Sequence, residues 1–192
     1  MPRKPAGVPR VNAPPAPIAA AASRYSPEVA AAIAEECAKA GIELVASLPD
    51  DWIAPTIAAF DGDPRFRHVP VNREESAIGL CSGAFLAGTG ALALMGASGL
   101  MTLVYAITKI NYTYEIPVFI LITQRGSLDD GAKFHVSNGL YLDQVMRSID
   151  LPNVTIDSRD RLPLIGEAYA HSRKISRPTV AVLSRKLLQG LA

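Results

Sequence analysis

The sequence predicts an α/β domain with a doubly wound, mainly parallel sheet of six strands and helices on both faces. Strand-like apolar runs alternate about six times with segments of helical pattern, and the two-residue turns typical of hairpins are missing. Several of these runs are apolar without alternation, as strands covered on both faces are. Hydrophobic residues make up 49% of the 192, which is ample for a core.

The first half of the chain carries clear end signals. Ser26 as an N-cap, Pro27 at the first helical position and Gly41 after the last predict a helix over residues 28–40. Gly88-Thr89-Gly90 predicts a turn. Between these signals we expect a strand at 42–47, a helix at 53–60, a strand at 68–71 and a helix at 74–87.

The second half repeats the alternation. Residues 117–123, PVFILIT, are the clearest strand, and the polar segment 124–137 after them is long enough to be a functional loop. The other expected elements are a strand at 91–95, helices at 100–112 and 139–148, a strand at 154–156, a helix at 162–174 and a strand at 178–183. Ligands of such a sheet bind at the carboxyl ends of its strands.

Charge and composition exclude several classes of protein. Nineteen Lys and Arg against eighteen Asp and Glu lack the basic excess of a nucleic-acid-binding protein. Cys37 and Cys81 form neither a CxxC nor a Cys/His cluster, which favours a reducing, cytoplasmic setting without structural zinc. Residues 76–108 have no charge but contain six glycines, so we interpret them as buried elements and not as a membrane span.

The N-terminal 25 residues differ from the rest in composition. Six of the fifteen prolines fall among them, and these prolines interrupt the only apolar stretch that could serve a signal peptide. We predict a disordered Pro/Ala-rich tail over residues 1–25 and a single domain over residues 26–192.

A carboxylate motif stands at the junction of a strand and a helix. Glu74 and Glu75 follow Arg73 at the start of the helix, and Gly79 and Gly83 would let another backbone approach that helix closely. Acidic residues at a helix start are also favoured by the helix dipole alone, so a purely structural role remains open.

These residues belong to a set of motifs that resembles the pyrimidine-binding domain of thiamine diphosphate enzymes, in particular the family of sulfopyruvate decarboxylase α subunits and phosphonopyruvate decarboxylases. The resemblance runs from about residue 30 to residue 183. It is carried by the order and spacing of Leu48-Pro49-Asp50-Asp51, Arg73-Glu74-Glu75, Gly96-Ala97-Ser98-Gly99-Leu100, and Ile116-Pro117 followed by Gln124-Arg125-Gly126.

The resemblance implies a thiamine diphosphate-dependent 2-oxo acid decarboxylase. Glu74 would be the catalytic carboxyl that hydrogen-bonds N1′ of the aminopyrimidine and controls its proton. The residues implied as cofactor-binding are Glu74, Ser98, Gly99 and Leu100. Asp50 and Asp51 would lie at the substrate end, although a solvated helix start explains them equally well.

Four basic residues could hold an anionic substrate, namely Arg73, Lys109, Arg125 and His135, with Arg125 the strongest candidate because it follows the clearest strand. For each of them a surface salt bridge is the competing explanation. No metal ligand is predicted in this chain.

The resemblance also implies a partner. The Gly-Asp-Gly … Asn motif that holds Mg²⁺ and the diphosphate has only poor counterparts, Asp61-Gly62-Asp63 and Asp129-Asp130-Gly131. A β-type subunit would supply it, and copies of this chain would also self-associate. Met101 and Thr102 depart from the family pattern, which keeps a carboligase on another 2-oxo acid and a non-catalytic scaffold subunit open as alternatives. A free-standing nucleotide-binding domain lacks the expected GxGxxG loop.

Overall fold

The computed structural model describes residues 24–128 and 130–192. Its strands are β1 (Leu44–Ser47), β2 (Arg67–Pro70), β3 (Ala91–Gly96), β4 (Phe119–Thr123), β5 (Asn153–Ile156) and β6 (Thr179–Leu183). Its α-helices are α1 (Pro27–Lys39), α2 (Ala54–Asp61), α3 (Glu74–Leu86), α4 (Ala97–Thr102), α5 (Val104–Ala106), α6 (Val136–Ser148), α7 (Leu164–Ile175) and α8 (Arg185–Leu188).

The six strands form one sheet in the order β2-β1-β3-β4-β6-β5, and every described pair is parallel. The chain leaves β1 toward β2 and leaves β3 toward β4, so the strand order reverses between β1 and β3. In doubly wound sheets, the crevice outside the carboxyl ends of two such strands is the usual ligand site. The predicted fold class is confirmed.

Helices cover both faces of the sheet and make two cores. On one face α1, α2 and α7 pack around Ile33, Phe60 and Ile165. On the other face α3, α4 and α6 pack around residues that include Ile78 and Leu100. The strands are apolar on both faces because each face contacts a helical layer.

The end signals of α1 work as predicted. The Ser26 hydroxyl accepts a hydrogen bond from the Val29 N–H at 3.3 Å. Gly41 has a φ of +78°, and the Ile42 N–H donates to the Cys37 carbonyl at 3.1 Å. This closing turn takes up Ile42, so β1 begins two residues later than the pattern predicts.

The helix predicted over residues 100–112 is wrong in its start and continuity. The helix begins at Ala97, is interrupted at Leu103, and continues beyond α5 as a π-helical turn over Ile107–Tyr112. Hydroxyls of Thr102 and Thr108 donate to the carbonyls of Gly99 and Val104 at 2.8 and 2.7 Å, and so compete with the regular helical hydrogen bonds.

The glycines of α3 have no backbone against them in the described chain. A Cβ added at Gly79 or Gly83 would meet no atom within 4 Å. The expected close approach of another backbone is therefore not made within the described residues. No helix among them is long and apolar enough to cross a membrane, and the charge-free stretch forms α3, β3, α4 and α5.

The tail prediction lies almost entirely outside the described residues. The two members that are described are Arg24 and Tyr25, and Tyr25 is buried, with its ring centroid 6.1 Å from that of Trp52. Tyr25, the last residue assigned to the predicted tail, therefore packs in the core of the domain.

Candidate functional site

Glu74 is the first residue of α3; three residues separate it from the end of β2, and the last of them, the extended Arg73, is the N-cap of the helix. The Glu74 side chain lies against Gly99 of α4, where an added Cβ would come within 2.5 Å of the Glu74 Cγ and 2.8 Å of its Oε1. Among the described residues, none donates a hydrogen bond to this carboxylate or forms an ion pair with it. The half-buried carboxylate is therefore open to a ligand.

The segment predicted to bind cofactor surrounds this contact. Gly99 is buried under Glu74, and the exposed Ser98 accepts a hydrogen bond from the Asn138 side chain at 2.8 Å. The Leu100 side chain is 1% exposed and belongs to the core. What Leu100 can offer a ligand is its backbone.

Asp50, Asp51 and Arg125 form one cluster. Arg125 is 2% exposed, and its Nη2 donates to an oxygen of each carboxylate. Its guanidinium carbon lies 3.8 Å from the ring centroid of Trp52. Burial alone would lower the pKa of Arg125, but the hydrogen bonds and charges of Asp50 and Asp51 outweigh it and raise that pKa.

Asp50 joins this cluster to α4. A Cβ on Gly96, the N-cap of α4, would lie 2.5 Å from the Asp50 Oδ2, and the same carboxylate accepts the Trp52 N–H at 2.9 Å. Gly96 and Gly99 lie three residues apart, and the absence of a side chain leaves room for Asp50 at Gly96 and for Glu74 at Gly99. Asp50, Asp51, Arg125 and the start of α4 thus meet where β1, β3 and β4 end, and Glu74 contacts α4 at Gly99.

Arg73 lies apart from the cluster. Its side chain is 70% exposed and pairs with Glu75 at 3.2 Å. The hydrogen bond from Arg73 lowers the pKa of Glu75, as in an ordinary surface ion pair. In the described chain Arg73 contacts neither Asp50 nor Asp51.

Asp130 and His135 form a second polar pair beside the cluster. The Asp130 carboxylate accepts hydrogen bonds from the Gly126 N–H at 3.0 Å, the Ala132 N–H at 3.2 Å and the His135 Nδ1 at 3.0 Å. Burial would raise the pKa of Asp130, but these hydrogen bonds hold it below its usual value. The sequence predicted only an anion contact for His135, and the Asp-x4-His spacing in a polar loop was the one local signal of this pair.

Two glycines close the loop that carries this pair. Gly126 has a φ of +74°, and a Cβ on it would lie 2.3 Å from the His135 carbonyl oxygen. A Cβ on Gly139 would lie 2.3 Å from the Gly126 carbonyl oxygen. The start of α6 therefore packs directly on the backbone that leaves β4.

A cavity of about 1150 Å³ opens beside Asp50, Asp51, Asp130 and His135. Its polar lining includes Asp50, Asp51, Asp130, His135 and Arg185, with Trp52 as the main aromatic wall. A space of this size takes a small organic ligand. Glu74 does not line this cavity, and it contacts α4 at Gly99.

Ser47, His68 and Asp61 are hydrogen-bonded in the order of a hydrolase triad, but the serine is not accessible to a substrate. The Ser47 hydroxyl lies 2.7 Å from the His68 Nε2, and the His68 Nδ1 lies 3.0 Å from an Asp61 oxygen. Ser47 is 0% exposed at the end of β1, so no substrate reaches its hydroxyl. These contacts fasten β1 to β2 and α2.

No group of three His, Cys, Asp or Glu side chains that could hold a metal is found in the described parts of the chain. Asp61 is engaged by His68, and Asp130 by its own loop. The segments 61–63 and 129–131 are the two poor counterparts of the diphosphate motif. Among the described residues, neither segment offers a cluster of unengaged carboxylates.

The model of a family described as thiamine pyrophosphate enzyme, N-terminal TPP binding domain, matches residues 27–146. A sulfopyruvate decarboxylase of Methanosarcina acetivorans is 31% identical over 147 residues, which are 77% of this chain and 38% of that protein. Sulfopyruvate decarboxylase subunit alpha of Methanothermobacter thermautotrophicus is 32% identical over 145 residues, 75% of this chain and 87% of the relative.

Similarity also extends to a solved structure. A 2-oxoglutarate:ferredoxin oxidoreductase from Magnetococcus marinus superposes with a TM-score of 0.68 at 15% identity, over 83% of this chain and 29% of the other. At this identity the match concerns the fold.

Proposed function

Since this chain belongs to the thiamine pyrophosphate enzymes, through their N-terminal TPP-binding domain, we propose that it is the alpha subunit of a thiamine diphosphate-dependent 2-oxo acid decarboxylase. The names of its relatives support this activity and a sulfopyruvate-like substrate. The observation that carries the proposal is the Glu74 carboxylate, which contacts Gly99 and has no hydrogen-bond or ion-pair partner among residues 24–128 and 130–192.

The residues around Glu74 fit the aminopyrimidine of the cofactor. Gly99 leaves space that the Glu74 side chain fills, and the carboxylate keeps its lone pairs for a ligand. Bound here, thiamine diphosphate would supply the nucleophilic carbon and the electron sink for loss of CO₂. Glu74 would hold a proton at N1′, with Ser98 and the backbone of Gly99 and Leu100 as further contacts.

We place Mg²⁺ and the diphosphate on a partner, a β-type subunit. Relatives of this chain carry the name subunit alpha, which implies a second kind of subunit, and the described residues contain no cluster of metal-ligating side chains. A separate polypeptide would contribute the missing half of the site. Self-association of this chain stays a prediction, as does a cytoplasmic location, which two buried free cysteines favour.

We place the substrate in the cavity beside the Asp50–Asp51–Arg125 cluster. Two carboxylates already oppose the single charge of Arg125, so a substrate anion has to compete with them or displace one. In this arrangement Arg125 both attracts the substrate anion and holds Asp50 and Asp51 in place. Arg73, which points elsewhere in the described chain, is the weaker candidate.

The test is Glu74→Gln, with Glu75→Gln as its matched control. Glutamine keeps the shape of Glu74 but cannot exchange a proton at N1′, so we expect kcat of the complex to fall roughly 100- to 10,000-fold. Glu75 pairs with Arg73 on the surface, and its replacement should leave kcat nearly unchanged. Steady-state decarboxylation of sulfopyruvate by the complex with its partner measures both.

Two results of this test would be informative in other ways. A Glu74→Gln complex that assembles and turns over normally would exclude the proposed role and favour a scaffold subunit. A complex that consumes the 2-oxo acid and yields a condensed product, with the same loss in Glu74→Gln, would indicate a carboligase.

A further inference from the structure

Arg185 brings a second guanidinium to the end of the sheet where Arg125 lies. Thr123 and Leu183 are paired as the last residues of β4 and β6, and each arginine stands two positions after one of them. The Gln124 N–H donates to the Leu183 carbonyl at 2.8 Å, so the two chain segments stay side by side as they leave the sheet. Arg185 lies outside the motifs that predict the site.

Trp52 and Tyr25, both buried, hold the Arg185 side chain. The guanidinium carbon of Arg185 lies 5.0 Å from the ring centroid of Trp52, and that of Arg125 lies 3.8 Å from the same centroid. Arg185 also donates a hydrogen bond to the Tyr25 hydroxyl. Burial and the charge of Asp51 raise the pKa of Tyr25, although both arginines act to lower it. The hydroxyl is therefore neutral at physiological pH and orients Arg185 without neutralising it.

Of the two arginines on Trp52, Arg185 is the one that faces the cavity. Arg125 is 2% exposed and is not part of the cavity wall, whereas Arg185 is half-buried and belongs to that wall. Arg125 is also committed to Asp50 and Asp51. A guanidinium presents its N–H groups as a planar fork, which fits two oxygens of a sulfonate, phosphonate or carboxylate.

The charges of the cavity wall favour an anion at the end beside Tyr25. Each carboxylate of the described wall has an arginine or histidine as its partner; these carboxylates are Asp50, Asp51, Asp61 and Asp130. The two arginines of the described wall, Arg24 and Arg185, both adjoin Tyr25, one along the chain and one through its hydrogen bond. An anionic group would therefore be attracted to this end of the cavity.

A fixed cation suits an anionic group that stays on the substrate. A guanidinium paired with the carboxylate that leaves as CO₂ would stabilise a charge that is lost during the reaction, and would thereby slow it. A cation on a retained group binds substrate and transition state alike, so it lowers KM without opposing turnover. The second anionic group of a dianionic 2-oxo acid is such a retained group.

We propose that Arg185 binds the sulfonate or phosphonate group of the substrate and so selects dianionic over monoanionic 2-oxo acids; this rests on the proposed function. The guanidinium takes two oxygens of the tetrahedral group at the Tyr25 end of the cavity, and the 2-oxo acid end points toward Asp50 and α4. Trp52 and Tyr25 fix the guanidinium for this contact. Arg185 is thus a specificity-determining residue.

The test compares Arg185→Gln with Lys186→Gln in the complex with its partner, thiamine diphosphate and Mg²⁺, on sulfopyruvate, phosphonopyruvate and the monoanion pyruvate. Lys186 is the next residue of α8, is exposed and does not line the cavity, so its replacement should leave all three values of kcat/KM within about twofold. In Arg185→Gln, kcat/KM for a dianion should fall roughly 10- to 100-fold, mainly through KM. The value for pyruvate should change far less. A fall confined to one dianion identifies its group as the ligand of Arg185.

The ratio of dianion to pyruvate activity separates recognition from a structural role, because a loosened cavity wall would lower the activity on all three substrates alike. Arg185→Lys keeps the charge but not the planar fork, so it should recover only part of the preference for dianions. Thermal unfolding checks that each variant folds, and Arg185→Lys carries the comparison where Arg185→Gln does not.

Calorimetric titration of the same complexes with 3-sulfopropionate and 3-phosphonopropionate gives a readout without turnover. Both compounds carry two anionic groups but no 2-oxo group, so they bind without being decarboxylated, and the affinity for at least one should fall roughly 10- to 100-fold in Arg185→Gln. Unchanged kinetics and affinities, or an equal loss on all three substrates, would overturn the role of Arg185 while the enzyme class stands. A complex that decarboxylates no 2-oxo acid would instead overturn the proposed function, and the titration would still decide whether Arg185 binds the anionic group.

Discussion

Arg125 is a buried charge whose surroundings decide its role. The 2% exposed guanidinium is balanced by Asp50 and Asp51, which are themselves 20% and 60% exposed. Its Nε and Nη1 have no hydrogen-bond partner among the described residues. A buried guanidinium with two unsatisfied nitrogens is held in place by its ion pairs and by Trp52.

We expect Arg125→Ala to raise KM for an anionic 2-oxo acid more than Glu74→Gln does, because in the proposed function the guanidinium would act in binding and Glu74 in turnover. The free energy of unfolding should also fall, by about 1–3 kcal/mol, since both carboxylates lose a charged hydrogen-bond donor. Steady-state kinetics and urea unfolding measure the two effects.

Arg147→Ala is the control for this variant, because Arg147 is exposed on α6 and its ion pair with Asp143 is 4.0 Å long. It should leave KM and stability nearly unchanged. An Arg125→Ala complex with normal KM would remove Arg125 from the substrate site.

Single site residues are easier to predict from the sequence than the residues they contact in the fold. Glu74 and Asp50 are each predicted from a short motif of three or four consecutive residues. The contact of Arg125 with Asp50 spans 75 residues, and the role of Trp52 beneath it depends on the same long-range packing. Such pairs are set by strand order and loop conformation, which local patterns do not specify.

Among the elements, the junction of β4 with α6 is tightly constrained. Gly126 and Gly139 approach so closely that neither can carry a side chain without moving the other's backbone. The polar loop between them was predicted as functional, but its closure was not. A glycine in a helical pattern usually weakens the helix, and here Gly139 is needed for packing.

Gly139→Ala should therefore destabilise the domain, although alanine is the better helix former. A Cβ 2.3 Å from the Gly126 carbonyl oxygen forces backbone to move, and we expect a loss of about 2–4 kcal/mol. Urea unfolding followed by circular dichroism measures it.

Gly83→Ala in α3 is the matched control. Its Cβ would meet no atom within 4 Å, so the helix should gain about 0.5–1 kcal/mol. Equal effects of the two substitutions would contradict the packing described at Gly126.

Helix boundaries followed the end signals where those signals were local. α1 and α3 agree with prediction within one or two residues, since Ser26, Pro27 and Gly41 act on their own neighbours. The segment after β3 did not follow its pattern, because hydroxyls of Thr102 and Thr108 bond to the helix backbone and a buried Asn111 donates to Ser82 at 2.9 Å. Local hydroxyl–backbone hydrogen bonds and one tertiary contact thus outweighed helical periodicity there.

Taken as a whole, the molecule presents one functional edge. The carboxyl ends of β1, β3 and β4 gather Asp50, Gly96 and Arg125, as the predicted parallel topology requires. In the proposed function Glu74 would bind the aminopyrimidine, whereas the described residues contain no cluster of metal ligands for a diphosphate. The site is consequently expected to be shared.

We expect this chain alone to bind thiamine diphosphate at least about 100-fold more weakly than its complex with the β-type partner, a difference of about 2.7 kcal/mol or more. The partner would supply the charged half of the contacts. Isothermal titration calorimetry with Mg²⁺ present, on the chain and on the complex, measures both affinities. Tight binding to the chain alone would contradict a shared site.

The hydrogen bonds that join Ser47, His68 and Asp61 show that triad-like distances alone do not identify a catalytic serine. These distances match those of a working nucleophile, yet the hydroxyl is sealed at the end of a central strand. An acylating inhibitor of serine hydrolases would find no entrance, whereas disturbing the histidine would loosen the sheet edge. Solvent access, more than interatomic spacing, separates a reactive serine from a structural one.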